Sequence, residues 1–381
     1  MSQLAFERFV DQLELIDHHV HGAFRADGDE GRFYTALSEG KTGGPSARAG
    51  SYDSQLGFAI RRWCAEILDL PRHVDPETYW ARREGLGEAE VGRRLTHAAG
   101  VSDWLLDTGL PADVLDLSGM ADLTGGRTHE VVRLEAVAES LITELDNPAS
   151  YPEAYAERLA ELTGGAVAVK SVLAYRGGLN QDLSRPSDRD ITNAAGRWRE
   201  EWKSTGKPPR LVDGSLITFG IHAALDIGLP LQFHVGFGDR DLNLRDANPL
   251  HLTDFLRSPS ASAVPIVLLH CYPYEREAGY LAHVFDNVHL DVGLAVNFVG
   301  ARSAAVVARS VELAPFTKIM YSSDAYGPAE LHYLGARLWR SAIIEVFGGW
   351  IDAGHWAEAD AYRVARLLAH ENARRVYSLD S

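Results

Sequence analysis

The chain has 381 residues, 46% of them hydrophobic and 24% charged. That is ordinary globular composition, sufficient for a sizeable core in two domains or in one large α/β barrel with insertions. A net charge of −16 and the lack of a Lys/Arg stripe argue against a nucleic-acid surface. Two cysteines, Cys64 and Cys271, exclude a disulfide framework and a CxxC metal pattern, and point to a reducing compartment.

The opening "MSQLAFERFVDQLEL" is charged throughout and has no apolar signal-peptide core, and no apolar run is long enough to span a bilayer. We therefore expect a cytoplasmic protein. The first strand is "LELIDHHVHG" (13–22). Residues 22–100 follow, with a Gly- and Arg-rich loop and helical stretches such as "LGFAIRRWCAEILDL" (56–70). They read as a helical insertion over a barrel mouth.

Further apolar runs bounded by turn signals predict strands at 101–109 (with 113–119 competing), 130–137, 165–176, 229–238, 264–273, 287–294 and 318–327. Helical patterns lie between them, at 147–164, at 211–228 with Gly228 as C-cap, at 276–286 and at 329–350. A smaller polar insertion covers 177–210. Eight strands alternating with helices predict a single (β/α)8 TIM barrel over 1–381, with a helical insertion after the first strand.

Active sites of such barrels sit at the C-terminal ends of the strands. Polar residues there are Asp17, His19 and His21 on the first strand, Arg133 and Glu135 on the third, and Lys170 and then Arg176 on the fourth. The fifth carries His234, the sixth His270 and the eighth Asp324. Alternate strand residues share a face, so His19 and His21 point the same way, about 6.6 Å apart, and His18 points the other way. His234 completes three nitrogens, and Asp324 adds an oxygen close enough to take a proton from metal-bound water. Such a set suits zinc or another borderline divalent ion. A lone histidine of this kind is more often a satisfied core residue; two at period two make ligation the better reading.

The ordered set His-x-His, Lys, His, His, Asp resembles the amidohydrolase superfamily. The segments "LQFHVGFGD", "LLHCYPYEREAGYLA", "AVKSVLAYRGGL" and "MYSSDA" are more narrowly similar to its amidohydrolase-2 group, and within it to the FluG-like amidohydrolases. The resemblance implies a metal-dependent hydrolase of an amide or other C–N bond. Lys170 would be carboxylated and bridge two ions, or else pair with a carboxylate beside a single ion. His270 would bind the second ion or act as an acid/base. Related proteins resemble mononuclear decarboxylases, which is the alternative. Arg176, Glu135 and Arg337 are candidates for holding a small carboxylate-bearing substrate, although a salt bridge is the commoner fate of an arginine; Arg340 shares that reading. Arg133 and Glu135, on one face, could pair with each other. No feature points to a macromolecular partner other than a second copy of the chain.

Overall fold

The computed structural model describes residues 3–40, 50–109 and 113–380. Seven parallel strands pair in chain order: β1 Leu15–Val20, β2 Val101–Asp107, β3 Arg127–Arg133, β4 Ala168–Ser171, β5 Leu231–Val235, β6 Ile266–His270 and β7 Val288–Leu290. β1 and β4 to β7 are buried along their whole length. That is the expected state of a parallel sheet covered by crossover helices, and it explains the near-continuous Val, Ile and Leu runs.

The predicted eighth strand is not a regular strand. Its chain still bridges the two edges of the sheet, because Met320 N donates to Leu290 O on one side. On the other side His18 N donates to Tyr321 O, Asp324 N to His19 O and His21 N to Ala325 O. Asp324 has φ +49°, in the left-handed region, and one such residue is enough to break a ladder. The result is an α/β barrel of seven strands with an irregular closing segment.

Two apolar clusters follow from this shape. The larger lies between strands and helices. The smaller fills the inside of the barrel with Ile16, Leu105, Val131, Ala168, Val267, Leu269 and Met320, and is sealed by Ala373, Val376 and Tyr377 from the C-terminal end.

Residues between β1 and β2 form helices, among them Glu30–Ala36, Pro76–Leu86 and Glu88–Ala99. Asp29 and Asp75 cap the first two through their side chains, and Gly100 ends the third at φ +62°. A buried Arg83 joins Glu88 to Glu330 of the long helix Ala329–Asp352, fixing these helices against the barrel wall. Gly214–Ile227 ends on Gly228, as the pattern predicts. No helix among the described residues is long and apolar enough to cross a membrane.

Candidate metal centre

The pairing of β1 with β2 contains an irregularity on which the site depends. Asp17 pairs with Trp104 and Val20 with Leu106, so β1 uses three residue steps where β2 uses two. One extra residue is a bulge, and it breaks the strict alternation of faces. His18 and His19, adjacent in sequence, therefore turn to the same side. His18 meets Tyr377 there, and His19 meets Gln232 and Lys170. Asp17 turns away, and its Oδ1 accepts from Ser323 N. Strict alternation, which sets His18 on the face opposite His19, is corrected, because periodicity alone carries no information on bulges; His18 nevertheless lies on Tyr377 and Asp291, outside the cluster.

His19, His21, His270 and Asp324 come together. Asp324 Oδ1 lies 3.1 Å from His19 Nε2 and 3.4 Å from His21 Nε2, and Oδ2 lies 3.4 Å from His270 Nε2. The His234 ring stands 4.5 Å from that of His270, and Lys170 Nζ is 3.1 Å from His19 Nε2. His270 and Asp324 are both aimed by left-handed backbone, at φ +71° and +49°, a costly conformation for residues with a Cβ that is concentrated in functional sites.

The proton positions can be deduced. His21 Nδ1 is 3.1 Å from Asp107 O, which can only accept, so the proton sits on Nδ1 and Nε2 is a bare lone pair. His19 Nδ1 likewise donates to Gln232 Oε1 at 2.9 Å. Both bare nitrogens then face a carboxylate oxygen. Acceptors face acceptors at 3.1–3.4 Å, and Asp324 Oδ1 has no hydrogen-bond partner. His234 Nε2 and both ring nitrogens of His270 are also buried without one. Buried polar atoms left in this way are costly. A divalent cation would satisfy them together, and imidazole plus carboxylate is a donor set such ions accept. His19, His270 and Asp324 each offer an atom within 4.8 Å of the others, as do His19, His21 and Asp107. The residues fit a metal.

Charge supports this. Burial, with Lys170 alongside, pushes His19 down to about 3, and burial pushes His270 down to about 4, so both rings are neutral ligands near pH 7. Burial raises the Asp324 carboxyl; the lowering well below the usual range that His270, His19 and His21 give it needs positive charge at the cluster, which neutral rings leave to Lys170 or a bound cation. Burial lowers Lys170 to about 8 even though Asp107 and Asp324 oppose the shift.

Four polar residues were missed by the strand-end search. Asp107 ends β2 and takes two nitrogens of Arg133, with Nη2 at 2.6 Å. Asp291, after β7, accepts from the backbone N–H of His270 and Gly293. Gln232 holds His19, and Tyr175 packs its ring 4.6 Å from that of His234. The two aspartates carried a usable signal, since each closes an apolar run.

The remaining candidates lie elsewhere. Arg133 and Glu135 do not pair with each other, because β3 ends at Arg133 and Glu135 begins a helix, where it accepts from Ser171 Oγ and Val172 N. Arg176 pairs with Glu139. Arg337 pairs with Asp11 over the Trp63 ring, and Arg340 caps the carbonyls of Ala99 and Leu13. The structure brings none of Glu135, Arg176, Arg337 and Arg340 into contact with the histidine cluster among the described residues.

Comparison with known proteins adds context. A family model described as amidohydrolase matches residues 208–379. Protein fluG of Emericella nidulans is 30% identical over 308 residues, covering 72% of this chain and 35% of that protein, so the chain spans about a third of that curated relative. A crystal structure from Lactobacillus casei, provisionally assigned as a metal-dependent hydrolase, superposes with a TM-score of 0.84 at 30% identity, covering 98% of this chain and 97% of that one. A glucuronate isomerase from Caulobacter crescentus reaches a TM-score of 0.64 at 14% identity over 100% of this chain and 94% of that one, a likeness of fold alone.

Proposed function

The chain belongs to the amidohydrolase family and is an enzyme of that type, and from that premise we propose that it hydrolyses an amide or other C–N bond of a small carboxylate-bearing molecule. The observation that carries this reading is the set of bare imidazole nitrogens turned on one carboxylate at 3.1–3.4 Å. His19, His21, His234, His270 and Asp324 would hold a divalent ion, zinc in our reading. Such an ion supplies Lewis acidity toward a carbonyl and lowers the pKa of water.

The chain's own groups account for the rest. Asp324 is buried yet kept ionised, so it can accept a proton from the attacking water and pass it to the leaving nitrogen. His270 is neutral and its ring nitrogens have no hydrogen-bond partner, so where the ion rests on the other residues its N–H can instead donate to and polarise the scissile carbonyl. Arg133 replaces the arginines expected from sequence as the anchor for a substrate carboxylate. Its Nε and Nη2 lie on Asp107, its register partner across the sheet is Lys170, and no hydrogen bond to the described residues engages Nη1. Lys170, carboxylated, would bridge a second ion. We read the whole chain as one barrel whose helical segment 22–100 covers the mouth, acting in the cytoplasm, where the two free thiols would persist.

One observation favours a second reading. Asp107 and Asp324 both compensate an uncarboxylated Lys170, which suits one ion and a decarboxylase. Elemental analysis separates the two on ion count: two ions per chain support the bridged hydrolase. Incubation with N-acyl and γ-glutamyl compounds tests the chemistry. Release of amine or ammonia is expected, and release of carbon dioxide without C–N cleavage would overturn hydrolysis.

A further inference from the structure

The tautomer of His19 depends on the orientation of one buried amide. Gln232 Nε2 is 3.0 Å from His18 O and 2.9 Å from Tyr377 Oη. A backbone carbonyl only accepts, so the NH₂ end of Gln232 must face it, and Oε1 must face His19 Nδ1. Tyr377 Oη takes the second amide proton as acceptor. Its own proton is then left for His18 Nδ1, 3.0 Å away. This places the His18 proton on Nε2, which stands 3.0 Å from Asp291 Oδ2, in contact but out of line for a full hydrogen bond. Every member is buried: His18, His19, Gln232 and Asp291 at 0% exposure and Tyr377 at 3%. Tyr377 comes from the C-terminal segment that seals the inside of the barrel, 145 residues from Gln232.

We propose that Tyr377 is a positioning residue for the metal ligand His19: through Gln232 it holds the ring in the one tautomer that leaves Nε2 bare toward the ion. This rests on the reading that the cluster binds a divalent cation. The C-terminal segment would thereby belong to the metal site although it supplies none of the residues that would hold the ion. Loss of the Tyr377 hydroxyl leaves the Gln232 amide with one acceptor where it had two, and leaves His18 Nδ1 unpaired. The amide is then held by His18 O alone, so the grip of its Oε1 on His19 Nδ1, and with it the ring's orientation, slackens. Partners of this kind typically alter metal affinity by about 10–100-fold.

The test is titration of the metal-free protein with Co²⁺, reading affinity by chelator competition and ligand set by the visible d–d band. Tyr377→Phe should bind about tenfold more weakly with an altered band, and Gln232→Met should show at least as large a loss. Tyr151→Phe is the control, because that hydroxyl is buried without a partner in a helix far along the chain and its loss should move neither readout. Circular dichroism on each metal-free variant separates ligand effects from misfolding; a Tyr377→Phe that does not fold would make the hydroxyl a structural group and overturn its positioning role. Parent affinity and spectrum in both folded variants would overturn the proposal. A loss in Gln232→Met only would overturn the part assigned to the tail. Failure of the parent protein to bind Co²⁺ would instead strike at the metal reading itself.

Discussion

In the proposed reaction Asp324 accepts the proton, and its surroundings set what its replacement should do. Its carboxylate faces three imidazoles and stays ionised against burial. Asp324→Asn keeps the shape but removes the proton acceptor, so kcat should fall by about 10²–10⁴-fold, the usual span for a lost general base. Full activity in steady-state assays would remove Asp324 from the mechanism. Arg133 should behave differently. Arg133→Lys retains a charge beside Asp107 but loses the planar fork, so KM should rise roughly tenfold with kcat little changed. An unchanged KM would return the substrate carboxylate to another cation. Most of the cluster was legible as residues: histidines, a lysine and an aspartate at the ends of apolar runs have few other reasons to be there. Gln232 was not legible. A glutamine in a strand says nothing of its partner until Tyr377, far along the chain, is seen beside it. The arginines were misjudged for the opposite reason, since a cation can always find a carboxylate, as Arg337 does in Asp11.

β2 and β3 show how pairing between strands governs ionisation. Asp103 on β2 pairs in register with Arg127 on β3, and its side chain is fully buried. Burial pushes its pKa up, but hydrogen bonds from His129, Arg127 and Ser102 more than reverse this and hold it well below the ordinary range. A carboxylate with a depressed folded pKa adds stability above its unfolded value, near pH 4, and loses it as pH falls toward the folded value. Asp103→Asn should therefore cost ~2 kcal/mol at pH 7. The gap from the parent should narrow between pH 5 and pH 3.5 in urea unfolding, and a gap constant over that range would refute the linkage. The same elements mark where sequence reading succeeds. Six of the predicted strands and the helices at 151–163, 214–227 and 329–352 stand where periodicity and caps place them, whereas the third, expected at 130–137, runs Arg127–Arg133 and gives way to the helix Leu134–Glu144. The failures are local backbone events. A bulge in β1 turned His18 inward, and a left-handed Asp324 broke the ladder of the last segment. Neither leaves a trace in hydrophobic spacing.

At the scale of the molecule, the cluster ties together parts of the barrel that the sheet joins only in sequence. His19 and His21 come from β1 and the residue beyond it, His234 from β5, His270 from β6, and Asp324 from the closing segment. That segment joins the two edges of the sheet through a handful of backbone hydrogen bonds and an irregular turn, which makes it the weakest seam of the wall. In the metal-free protein, bare nitrogens and an ionised carboxylate oppose one another across this seam, with the Lys170 ammonium and the Arg133 guanidinium to offset them. A cation bound there replaces an unfavourable contact and clamps Asp324 to three other walls. Its stabilisation follows mass action, about 2.7 kcal/mol at a free concentration one hundred times Kd. Exhaustive chelation should accordingly lower Tm by several degrees, and zinc added back should restore it with a dependence on concentration that saturates. The seam should respond first: amides of His21 and Asp324, which donate across it to Ala325 and His19, should exchange faster in the chelated protein than those of the β5–β6 ladder. If chelation left both Tm and these exchange rates unchanged in a protein shown to have lost its metal, the cluster would not be the clamp, and the acceptors facing each other at 3.1–3.4 Å would need a proton instead of a metal ion between them.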